Sequence, residues 1–193
     1  MIDCALAADI STTHVGYCLQ NKDTGETLAM SSINLPSKDY TDIWEKVDDV
    51  KIKMTELALF WKMAGWNVAS IYVEESLKNF KAGASSADVI VKLAQFNAMV
   101  SFLIRNLFGI NPVFLNVNTA RSRIGIKVLK KKGVKNDTKK QVLEQVAAKV
   151  QWSWPTKVLK SGPNKGTTAF EEEAYDMADS WVICKAGCTI YRA

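Results

Sequence analysis

The chain has a single histidine, His14, and four cysteines, Cys4, Cys18, Cys184 and Cys188, with no C-x-x-C pair among them. That set lacks the ligand spacing of a structural zinc site. Two of the cysteines fall in predicted strands and two at the last predicted helix, so buried free thiols are expected. No uninterrupted apolar run reaches the length of a membrane span. The opening residues, Met1-Ile2-Asp3, carry neither the basic region nor the cleavage pattern of a signal peptide. An intracellular, soluble protein is expected. Internal repeats and low-complexity tracts are also missing. What remains is 193 residues with 48% hydrophobic content, enough for one domain, 1–193, with a real core.

Net charge is +5, unevenly placed. Residues 121–140 hold nine Lys or Arg against one acid, Asp137, so the rest of the chain is net acidic. A solvated surface loop accounts for such a run, and so does an anionic partner, nucleic acid first.

Hydrophobic patterning gives an α/β layer fold. Residues 3–10, 14–21 and 27–35 read as three strands, with Asp23-Thr-Gly-Glu26 as the second turn. Residues 40–64 place Ile43, Val47, Val50, Met54, Leu57 and Trp61 at helical spacing, and Gly65 is the expected C-cap. A fourth strand, 69–73, ends in Glu74-Glu75. A loop at 78–84 leads to a strongly apolar helix, capped by Ser85 or Ser86, that runs to Phe108 and is expected to be buried. A fifth strand spans 112–117, and Thr119 is the expected cap of a short helix ending at Ile124. The basic segment and a helix over 139–150 follow. Trp152-Ser-Trp-Pro155 breaks the chain, 156–169 reads as an exposed loop, and the last helix spans 170–185.

The acids stand out against this frame. Asp9 ends an apolar strand, where a lone carboxylate is costly to bury unless paired or holding a cation. Glu74 ends another. Glu75 follows it directly and points to the opposite face. Asp176 and Asp179, three apart on the last helix, share one side beside an apolar stripe. Like charges this close raise each other's pKa, a cost that a shared divalent cation reverses. If the first and fourth strands are neighbours, all four acids converge. Such a carboxylate set favours Mg²⁺ or Mn²⁺, and two ions about 4 Å apart suit a phosphodiester displacement.

In this order the motifs resemble the RuvC family of Holliday-junction resolvases, within the RNase H-like nuclease superfamily. The matching residues are Asp9-Ile-Ser-Thr-Thr-His-Val-Gly16-Tyr17, Ile71-Tyr-Val-Glu74, Val117-Asn-Thr119, Thr138-Lys-Lys-Gln-Val142 and Asp176-Met-Ala-Asp179. The chain departs from the family in a longer loop after Glu74 and in lacking a glycine near Ser11, features that suit a viral, phage or organellar branch. The resemblance implies an RNase H-like fold, a five-stranded mixed sheet flanked by helices: an antiparallel three-strand meander plus two parallel strands. It implies Asp9, Glu74, Asp176 and Asp179 as metal ligands and catalytic residues, with two Mg²⁺ (or Mn²⁺) per active site. It also implies a homodimer cutting four-way DNA junctions by paired nicks. Arg121, Arg123, Lys127, Lys130, Lys131, Lys132 and Lys135 are the candidates for backbone phosphates. Lys78, Phe80 and Lys81 sit in the loop after Glu74, where Phe80 either stacks on an unpaired base or packs under its own loop. The apolar helix 86–108 could feed the core or a dimer interface. The Asp9 turn is also similar to the phosphate loop of actin-like ATPases and sugar kinases, although no second hairpin of that kind is present. A non-catalytic nucleic-acid-binding module of the same fold is the third reading.

Overall fold

The computed structural model describes residues 1–75, 87–129, 137–163 and 165–191. Strands β1 (Ile2–Ile10), β2 (His14–Asn21) and β3 (Thr27–Asn34) form an antiparallel meander. Strands β4 (Trp66–Glu74) and β5 (Val113–Leu115) add to β1 in parallel, giving the sheet order β3-β2-β1-β4-β5. The expected five-stranded mixed sheet is therefore present.

Period-two alternation sorts β1 into two cores. Leu6, Ala8 and Ile10 face one side, where Val50, Met54 and Trp61 of helix α1 (Ile43–Met63) and Phe96, Val100 and Ile104 of helix α2 (Ala87–Phe108) close over them. Ala5 and Ala7 face the other side, toward α3 (Val117–Arg123), α4 (Asp137–Ala147) and α5 (Glu172–Ile190). Helix α5 is the centre of that second layer, touching β1, β2, β3, β4, α3 and α4. Two glycines let it lie flat on the sheet. A Cβ at Gly16 would overlap the Asp176 carbonyl, and one at Gly187 would overlap the Tyr72 ring.

Several boundaries differ from the sequence expectations, each for a local reason. Helix α1 starts at Ile43 because Asp42 caps it, accepting from the Trp44 and Glu45 amides. Strand β4 starts at Trp66, pairing back to Ile2. Strand β5 stops at Leu115 because Asn116, rather than Thr119, caps α3 and accepts from the Asn118 and Thr119 amides. The stretch 156–169 is not a plain loop, since Thr156–Val158 (β6) and Thr168–Phe170 (β7) pair as a small antiparallel sheet. Its short alternation was masked by the surrounding glycines and threonines.

Helix α2 is buried only along one edge. Val89, Val91 and Phe102 are exposed, so the expectation of a fully buried helix fails. Among the described residues it is also the one helix with the length and apolar composition to cross a bilayer, although no continuous apolar run announces it. The cysteines are free, three of them buried, as expected. The loop 78–84 and the Ser85 or Ser86 cap lie outside the described residues.

Candidate active site

Parallel pairing of β1 with β4 sets Ala8 beside Val73, so the next residues, Asp9 and Glu74, stand level on adjacent strands. Both follow the parity of Ala7 and Tyr72, toward α5. Their carboxyl groups are hydrogen-bonded to each other. Across β1, Asp9 pairs with Gly16, and the missing side chain there admits the α5 backbone at Asp176. Asp179 follows on the same helix, and both helix acids are buried. Three elements far apart in sequence thus deliver four carboxylates to one end of the sheet.

The electrostatics follow from that crowding. Burial pushes the Asp9 carboxyl well above the usual range, and Glu74, Asp179 and Asp176 push it further. Glu74 is pushed up to about 7, by burial first and Asp179 next. Burial also raises Asp176, while the Lys139 ammonium opposes the rise. Two protein cations answer the charge. Arg121 of α3 donates from Nη2 to Asp179 Oδ1 at 2.7 Å, and its Nε is buried with no partner among the described residues. Lys139 of α4 donates from Nζ to Asp176 Oδ1 at 3.2 Å. His14 Nδ1 lies 3.5 Å from Asp176 Oδ2.

Three further side chains hold the strand ends. Asn97 of α2, buried, donates to the Glu74 carbonyl at 3.3 Å. Lys46 of α1 is buried and donates to the carbonyls of Thr12 and Leu35, at 2.6 and 3.1 Å, fixing the turn after Asp9. Ser11 Oγ accepts from the His14 amide within that turn.

The donor set suits a hard divalent cation in chemistry: all four groups are carboxylates, Asp176 and Asp179 buried, Asp9 and Glu74 half-buried. Among the described residues no three His, Cys, Asp or Glu side chains gather around one point. Arg121 is paired with Asp179 and Lys139 with Asp176, while Asp9 and Glu74 bond each other. A cation bound here would take over the charge that the two basic side chains now balance.

The structure splits the basic candidates. Arg121 is turned inward onto Asp179. Arg123 and Lys127 are exposed. The Lys127 backbone is bonded both ways to the Gln145 side chain and that of Leu129 to Gln141, so this segment runs along α4. Lys130, Lys131, Lys132 and Lys135 lie outside the described residues, as do Lys78, Phe80 and Lys81. Sequence reasoning did not single out Lys139, His14, Asn97 or Lys46 for the site. For Lys139 a signal existed: it precedes buried Val142 and Leu143 by three and four positions, which puts it on the core-facing side of α4.

No protein-family model and no curated protein matches the sequence. Solved structures do. Thermus thermophilus RuvC in complex with a Holliday junction substrate aligns with a TM-score of 0.60 at 12% identity, over 98% of this chain and 94% of that one. A second Thermus thermophilus RuvC structure gives 0.58 at 12% identity, over 98% and 95%. The chain has the RuvC-like, RNase H-like fold.

Proposed function

We propose that this protein is a metal-dependent, structure-selective DNA endonuclease that resolves four-way junctions by paired nicks. One observation supports the reading: β1, β4 and α5 crowd Asp9, Glu74, Asp176 and Asp179 at one end of the sheet, close enough to raise the Asp9 pKa together. Asp9, Glu74, Asp176 and Asp179 would hold two Mg²⁺ or Mn²⁺ ions. Bound divalent cations supply Lewis acidity, lowering the pKa of an attacking water and offsetting charge on the scissile phosphate. The protein's own part is to preorganise the carboxylates. Gly16 seats α5, Lys46 and Asn97 fix the two strand ends, and the buried side chains exclude bulk water. Arg121 and Lys139 balance the acids' charge, and Lys139, with its side chain about half exposed, is the more accessible of the two cations.

Exposed Arg123 and Lys127, with the lysines that follow them in sequence, form the surface proposed for backbone phosphates. Paired nicking needs two copies of the chain. The outward face of α2, with Val89 55% and Phe102 62% exposed beside Trp44 of α1, is the apolar surface proposed to join them.

A four-way junction with labelled arms, incubated with and without Mg²⁺ and resolved on a denaturing gel, tests the reading. Symmetric nicks that require Mg²⁺ are expected. Asp179→Asn should bind the junction while cleaving it at least about 100-fold more slowly. Full cleavage by a folded Asp179→Asn protein would remove the site.

A further inference from the structure

A concave site lies toward the other end of α5 from the acids. It is a cleft of about 580 Å³, within the roughly 300–1,000 Å³ range of ligand sites. Lys185, which lines it, follows Asp179 by about 9 Å along the helix axis, and none of the four acids contributes to the lining.

The lining combines two kinds of surface. Trp152 and Trp181 supply indoles that are already anchored: Trp152 Nε1 donates to the Met30 carbonyl at 3.0 Å, and Trp181 Nε1 to Thr27 Oγ1 at 3.1 Å. With both N–H groups engaged, half-buried Trp152 supplies most of the carbon surface open to a ligand, and Trp181, 6% exposed, supplies the little it leaves uncovered. Arg123, Lys149 and Lys185 supply positive charge against one lining acid, Glu26. Among the described residues none of these three cations pairs with a carboxylate. The β2–β3 turn makes room for Lys185. Gly25 has φ 72°, and a Cβ there would come within 2.7 Å of Lys185 Nζ.

Anchored aromatic carbon beside uncompensated cations matches a planar base carrying a phosphate. An apolar ligand would leave the cations unused, and an inorganic anion would leave the indoles unused. We propose that this cleft binds a nucleoside phosphate, either a free nucleotide or one unit of a nucleic-acid strand, at a place separate from the acids.

The test uses the full chain in EDTA, so that its outcome is independent of any cleavage. Indole N–H resonances are followed by NMR during titration with dAMP, with a short oligodeoxythymidylate, and with inorganic phosphate. Saturable movement of the Trp152 and Trp181 signals, with those of Trp44, Trp61 and Trp66 unmoved, is expected. Response to dAMP identifies a free nucleotide as sufficient, and response to the oligonucleotide alone identifies a strand; either supports the site. The double variant Lys149→Ser/Lys185→Ser should bind about tenfold or more weakly. Signals that stay still with every probe, move as far with phosphate as with dAMP, or titrate identically in the double variant would overturn the proposal.

Discussion

The acid cluster should make the metal-free protein unstable in a pH-dependent way, and Glu74→Gln isolates the effect. Glu74 moves from an ordinary 4.5 to about 7 in the folded protein. The sign follows from proton counting. A carboxyl with a raised folded pKa is held more tightly protonated in the fold, so its contribution favours folding below about pH 4.5. That contribution is lost as pH rises toward 7. The interval corresponds to about 3 kcal/mol, fully expressed above pH 7. Glutamine keeps the size and can still bond Asp9, yet carries no charge. In EDTA at pH 8 the variant should therefore be more stable by up to about 3 kcal/mol, a melting rise of roughly 6–12 °C for a chain of this size. At pH 4 the two proteins should melt alike. Mg²⁺ should stabilise the wild type more than the variant, because only the wild type offers the full carboxylate set. Circular dichroism melts from pH 4 to 9, with and without Mg²⁺, would measure all of this. A variant that melts below wild type at pH 8, or at a constant offset across the range, would refute the claim that crowded negative charge dominates here.

Other outcomes follow from the same geometry. Arg121→Met strands the buried Asp179 charge and should cost about 3–5 kcal/mol in urea unfolding at pH 7; adding Asp179→Asn should recover part of that loss. Gly16→Ala forces α5 away from β2 against the Asp176 backbone, and should cost at least about 1–3 kcal/mol, together with most of the junction cleavage. Replacing Lys130, Lys131 and Lys132 by alanine should flatten the salt dependence of junction binding by roughly 2–3 in log–log slope. Val89→Glu with Phe102→Glu should leave a folded monomer by sedimentation if α2 joins two copies, and an unchanged mass would exclude that face.

Much of this was legible in the residues because the relevant forces are local. An apolar run ending at one costly acid marks β1. The i, i+3 spacing puts Asp176 and Asp179 on one side of a helix, and Gly25 marks the second turn of the meander. Boundaries failed where a side chain outside the hydrophobic pattern set them, as Asp42 does for α1 and Asn116 for α3. The exposed side of α2 failed for another reason. Composition records how apolar a helix is but not how wide a surface receives it.

The sequence by itself determined the four acids, the order of the five main-sheet strands and the helices, and the uneven charge, since each depends on residue type and near-neighbour spacing. Only the tertiary structure decided that the acids crowd one end of the sheet, because that depends on the parallel register of β1 with β4 and on α5 settling over Gly16. It also decided which cations face inward. Arg121 and Arg123 are two positions apart and chemically alike, yet one is turned inward onto Asp179 and the other lines an open cleft. That difference comes from the packing of α3 against α5, a long-range contact that no local pattern encodes.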